Sequence, residues 1–122
     1  MANPGPETLK LGRLGEDLAL RHLKEKNYRI VATGFRIHRG EIDIIARDGA
    51  TLVFVEVKTR TRTAFGRPEE AVTPAKQRQL RRLAQAYLMS QGLGDVGCRF
   101  DVIAVRRGDD GGYAIEHFRD AF

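Results

Sequence analysis

Four charged residues interrupt the most apolar stretch of the chain: Glu41, Asp43, Glu56 and Lys58. The segment from Gly40 to Arg60 reads GEIDIIARDGATLVFVEVKTR, two alternating runs around Asp48–Gly49, a dipeptide that favours hairpin turns. With Asp48–Gly49 as a two-residue turn, Arg47 faces Ala50, Asp43 faces Phe54 and Glu41 faces Glu56. One side of the hairpin is then Ile42, Ile44, Ala46, Val53, Val55 and Val57, a core face. The other carries Ile45, Leu52 and Phe54 near the turn, with Glu41, Asp43, Glu56 and Lys58 at the far end. In this register Asp43 and Glu56 are diagonal neighbours, about 7–8 Å apart at Cα and able to share one ion.

Crowded carboxylates repel and raise one another's pKa, and a divalent cation relieves that. Mg²⁺ takes oxygen ligands, often only one or two carboxylates, and keeps waters that a substrate phosphate can replace. Lys58 projects from the same side, placed to stabilise charge on a phosphate or to orient or deprotonate a water. The pattern equally describes a solvated strand face with Glu56–Lys58 as a surface ion pair. Residue types alone leave both readings open.

The elements that must position these residues follow from periodicity. From about Pro6 to Lys26 the pattern is helical, with Leu11, Leu14 and Leu18 on one stripe and Ala19 and Leu23 beside it. NYRIVATGFRIHRG reads as a strand with an irregular link into the hairpin. TRTAFGRPEEAV has no period and reads as a loop. Thr73–Pro74 opens a second helix that runs to about Ser90 and stops near Gly92. CRFDVIAV and YAIEHF are further strands. The order α-β-β-β-α-β-β predicts a mixed α/β fold, and 122 residues suit one domain over 1–122, with MANPG as a short mobile tail.

Composition narrows the classes. A net charge of +5 favours a polyanionic partner. One cysteine excludes an intramolecular disulfide and suits a reducing compartment; Cys98 reads as a small buried hydrophobe. No apolar run approaches the ~20 residues that span a bilayer. The first residues lack an apolar signal core, so the expected location is the cytoplasm, without a membrane partner.

Asp43, a turn and VEVK at Val55–Lys58 resemble the PD-(D/E)xK signature of restriction-endonuclease-like nucleases. LGRLGEDLA, GEIDIIARDG, LVFVEVKTR, AVTPAKQRQLRRLAQAYL, CRFDVIAV and EHFRDAF together resemble the bacterial YraN-like family of predicted endonuclease-like proteins, over nearly the whole chain. Ile42 stands where the signature has Pro. The resemblance implies a restriction-endonuclease-like α/β core with a mixed sheet flanked by helices. It implies Mg²⁺ or Mn²⁺ on Asp43, Glu56 and the Val57 carbonyl, with Lys58 as the catalytic lysine. In nucleases similar to archaeal Holliday-junction resolvases a first-helix glutamate joins the site, and Glu16 fits that role. Helical geometry supports it independently: Glu16 shares a face with Gly12, Ala19, Leu20 and Leu23, whereas Asp17 neighbours Arg13 and Arg21. Glu41 is either a neighbouring support, an added ligand or a strand-entrance residue.

DNA would be held by Arg60, Arg62 and Arg67, in the loop leaving the hairpin. Phe65–Gly66 lies in the same loop. Lys76 stands in line with Leu80, Leu83 and Tyr87, snorkelling outward or directed at the acidic residues or a bound phosphate, which adds it to the nucleic-acid-binding residues, and Gln79 adjoins that seam as a weaker supporting candidate. Arg78, Arg81, Arg82 and Gln85 read as a solvated helix face. His22, His38 and His117 show no metal-ligand spacing, and His38 reads as a loop residue. The leading function is metal-dependent hydrolysis of phosphodiester bonds in DNA, with branched, flapped or damaged DNA all open. The alternative is a nucleic-acid-binding or protein-interaction module on the same fold without turnover. RNA ranks below DNA for want of an aromatic platform. Whether the protein works as a homodimer is left open.

Overall fold

The computed structural model describes residues 6–61 and 72–122. Helix α1 (Pro6–Glu25) precedes strands β1 (Arg29–Ile37), β2 (Gly40–Asp48) and β3 (Thr51–Thr61). Helix α2 (Pro74–Ser90), β4 (Cys98–Arg107) and β5 (Tyr113–Phe118) follow. The strands form one mixed sheet in the order β1-β2-β3-β4-β5, antiparallel except for β3 and β4. A parallel pair needs a long crossover, and α2 lies within it. The result is an α/β fold that fits a restriction-endonuclease-like core. The expected tail 1–5 and the expected loop contacts at Arg62, Phe65–Gly66 and Arg67 lie outside the described residues. Among the described residues no helix is long and apolar enough to cross a membrane.

Each face of the sheet has its own core. Ile45, Leu52, Phe54, Phe100 and Val102 pack with Leu80, Leu83, Ala84 and Tyr87 of α2. Ile44, Ala46, Val53, Val55, Ile103 and Val105 pack with Ala19 and Leu23 of α1 and with Tyr28. Each such aliphatic side chain contributes roughly 1.5–3 kcal/mol on leaving water. Helix α2 starts as its sequence requires: the Thr73 Oγ1 accepts the Lys76 N–H at 3.2 Å, and Pro74 occupies the first turn. It ends at Gly92, whose φ of 63° is the left-handed conformation glycine adopts freely.

Four details differ from the sequence expectation. The hairpin turns at Gly49–Ala50, because Asp48 pairs with Thr51 and Arg47 with Leu52. Gly49 supplies the positive φ of 61°, while Asp48 stays in the ladder with its carboxylate bonded to Arg99 and Arg119. The pairing therefore slides by two residues, which preserves faces but brings Asp43 towards Glu56. Ile42 packs with the α2 core rather than beside Ile44, so alternation breaks at Asp43. Helix α1 buries Gly15, Ala19 and Leu23 and leaves Leu14 exposed. A Cβ at Gly15 would strike the Thr59 hydroxyl, so the bare glycine lets the helix settle on β3. Cys98 is exposed at the start of β4, not buried.

Candidate active site

The β2–β3 ladder ends at Ile44–Val55. Beyond it the two strands fork, and Asp43 fills the fork. The Val57 N–H, which has lost its ladder partner, donates to Asp43 Oδ2 at 2.8 Å. In an extended strand a residue's N–H and C=O serve the same side, so the Val57 carbonyl belongs to this fork too. Asp43 and Glu56, the first residues past the ladder on each strand, line one cavity and interact directly.

Glu56 is 7% exposed and under-partnered. Its Oε1 lies 3.7 Å from Lys58 Nζ, and its Oε2 lies 4.0 Å from Lys76 Nζ. Both exceed ordinary hydrogen-bond length, and Oε2 is buried with no hydrogen-bond partner. Burial, then the charge of Asp43, pushes the Glu56 carboxyl up to about 7 against the pull of Lys76 and Lys58. Burial also raises Asp43, with the Val57 N–H opposing. The site holds more potential negative charge than the protein neutralises.

Glu16 reaches the same place from α1. It lines a cavity of about 300 Å³ with Leu11, Asp43, Glu56, Lys58 and Arg60. Burial and then Asp43 and Glu41 raise its carboxyl above the ordinary range. Glu41 stands at the edge, paired with Arg36 at 3.5 Å. Lys76 arrives from α2, so the fork is served by both helices. Gln79 does not reach the acidic cavity: its amide packs near Gly40 instead. Arg60 lines the cavity and donates to the Thr59 carbonyl, whereas Arg62 and Arg67 lie outside the described residues.

Among the described residues no three His, Cys, Asp or Glu side chains close a ready-made metal site. The donors present are Asp43, Glu56 and strand backbone, an all-oxygen set. A buried carboxylate oxygen without a partner fits a hard divalent cation that keeps several waters.

A second ionic centre, unforeseen in the sequence reading, lies on β4. Asp101 is fully buried. It accepts from Arg99 Nε at 2.9 Å, Arg99 Nη2 at 3.0 Å and the Asp120 N–H at 3.0 Å, and His117 Nε2 lies 2.7 Å away. Burial raises its carboxyl, but the bonds from His117, Arg99 and Asp120 outweigh that and hold it at about 2. Arg99 also donates to Asp48 and to the Tyr28 hydroxyl, at 2.9 and 2.7 Å. A lone Asp inside the apolar run Phe100–Val105 was the available signal: a carboxylate buried in a strand needs partners.

The sequence model of the family described as "Uncharacterised protein family UPF0102" matches residues 15–105. A UPF0102 protein of Geotalea daltonii is 53% identical over 92% of this chain and 88% of its own length. One from Symbiobacterium thermophilum is 49% identical over 93% and 96%. One from Chlorobium chlorochromatii is 46% identical over 98% and 96%.

Proposed function

The chain belongs to the UPF0102 family, and we propose that it is a metal-dependent nuclease that hydrolyses phosphodiester bonds in DNA. One observation carries this reading: Glu56 is buried beside Asp43 with an oxygen left without a partner. A pure binding surface for phosphate gains nothing from a buried carboxylate pair. A metal-assisted hydrolase needs one.

Asp43, Glu56 and the Val57 carbonyl would hold Mg²⁺ or Mn²⁺. When bound, the cation supplies Lewis acidity towards a phosphoryl oxygen and a more acidic water. Lys58 Nζ, beside Glu56 on β3, donates to a non-bridging phosphate oxygen or orients the attacking water, an interaction that strengthens as charge accumulates. Lys76 offsets the charge of Glu56 from the α2 side. Glu16, its carboxyl raised, supplies a third acid–base group from α1. Arg60, at the cavity mouth, binds a flanking phosphate and fixes position without reading sequence.

The test is cleavage of labelled duplex, gapped, flapped and branched DNA, and of RNA, in Mg²⁺, Mn²⁺ or EDTA. Metal-dependent cleavage of at least one DNA is the expected result. Binding without cleavage of any substrate would favour the non-catalytic module.

A further inference from the structure

One turn beyond Lys76 along α2, the surface opens into a second hollow of about 510 Å³ between the β1–β2 turn and the helix. Its floor is apolar: Ile37, Gly40, Leu83 and Ala86. Its rim is His38, Arg39, Gln79 and Arg82. None of the described residues lining it is acidic. Among the described residues neither Arg39 nor Arg82 takes part in an ion pair; the neighbouring Arg81 instead lies over the Phe100 ring at 4.9 Å.

The backbone builds this hollow deliberately. His38 turns with φ of 54°, which presents the His38–Arg39 tip towards α2. A Cβ on Gly40 would lie 2.7 Å from Leu83 Cδ1 and 3.1 Å from Gln79 Nε2. The bare glycine lets the start of β2 lie against Leu83 and Gln79 without displacing their side-chain ends.

We propose that this hollow receives one unpaired nucleotide of the DNA strand being cut, an inference that rests on the nuclease reading above. An aliphatic floor suits the face of a base, and a cationic rim suits its phosphate. The volume falls in the range of small-ligand pockets. A paired duplex buries base faces against one another, so only an unpaired nucleotide brings a face to the floor. From Lys76 to Arg82 the helix rises about 9 Å. Gln79, on the rim, offers its amide to a base edge or sugar. The Arg82 face, expected from sequence to be merely solvated, thereby acquires a role.

Binding by fluorescence anisotropy, in EDTA and again in Mn²⁺, tests this without requiring turnover. The probes are a gapped duplex with unpaired nucleotides and its fully paired counterpart. Wild type should prefer the gapped DNA by about tenfold or more, the value of one base contact. Ala86→Phe fills the floor and should abolish that preference while leaving paired-DNA affinity within about twofold. Arg82→Ala should weaken binding of the gapped DNA and lower its salt slope by about 0.7 to 0.9, while paired-DNA affinity stays within about twofold. Arg82 is exposed, so this variant keeps the test decisive should Ala86→Phe fail to fold. Unchanged preference in folded Ala86→Phe, or unchanged affinity and slope in Arg82→Ala, overturns the inference and leaves the nuclease reading standing. A wild type that binds no DNA in either condition overturns both.

Discussion

Asp101 and Glu56 are buried carboxylates one step apart on neighbouring strands: Asp101 pairs in register with Val55, and Glu56 with Val102. Their surroundings are opposite. Asp101 is bonded by a guanidinium, an imidazole and a backbone amide, and its carboxyl is held at about 2. Glu56 faces another carboxylate, has two lysines at arm's length and an unpartnered oxygen, and its carboxyl rises to about 7. The same functional group on the same sheet thus stands in two opposite states of partnering. Complete partnering makes Asp101 an anchor that ties β4 and β5 to Tyr28 and to the end of β2. Incomplete partnering leaves Glu56 with binding capacity still to be used, which is what a site requires.

The largest expected effect breaks the anchor. Asp101→Ala strands Arg99 and His117 without their anion and should destabilise the protein by about 3–5 kcal/mol. Asp43→Asn, in metal-free protein, should stay within about 1 kcal/mol of wild type, since it removes one of two repelling charges and keeps an acceptor for the Val57 N–H. Urea midpoints read both. Comparable losses would erase the distinction between the two centres.

Next comes Lys58→Ala. It should cleave at least a hundredfold more slowly, about 3 kcal/mol in barrier, while binding DNA within several-fold of wild type. Cleavage at the wild-type rate, in protein free of contaminating nuclease, removes Lys58 from the mechanism.

A pH titration of stability in EDTA gives the smallest and sharpest contrast. Glu56 has its native pKa raised from 4.5 to about 7. Its contribution is therefore complete below about pH 4.5 and lost as pH rises through 7, up to about 3 kcal/mol. Asp101 is depressed from 3.8 to about 2. Its contribution is present above pH 3.8 and lost as pH falls towards 2, about 2 kcal/mol. Glu56→Gln should flatten the upper limb alone. An upper limb that persists in that variant belongs to other groups.

Sequence alone located much of this. The helices were legible because apolar period, Thr73–Pro74 and Gly92 agree, and Asp43, Glu56 and Lys58 because charges in an apolar hairpin stand out. The register was not, since Asp-Gly and Gly-Ala are both acceptable turns and the choice depends on Asp48 meeting Arg99 from a distant strand. Gly15 and Gly40 were invisible for a related reason: what a missing Cβ permits is known only when the neighbour, Thr59 or Leu83, is in view. The Asp101 centre draws on Tyr28, on Asp48 of β2, on Arg99 of β4, on His117 of β5 and on Asp120 beyond it, which no local pattern joins.

The parallel β3–β4 ladder gives the site an uneven history. Asp43 and Glu56 sit on strands joined by a two-residue turn, whereas Leu52 meets Cys98 only after the whole crossover closes. Closing that longer connection carries roughly 2–3 kcal/mol more entropy loss than the hairpin. The mutually repelling carboxylates are therefore neighbours in the most local unit of the fold, while Lys76 and the Asp101 anchor arrive with its most distant one. Wherever that crossover comes undone, the lysine and the anchor leave together, and the hairpin is left holding the repulsion.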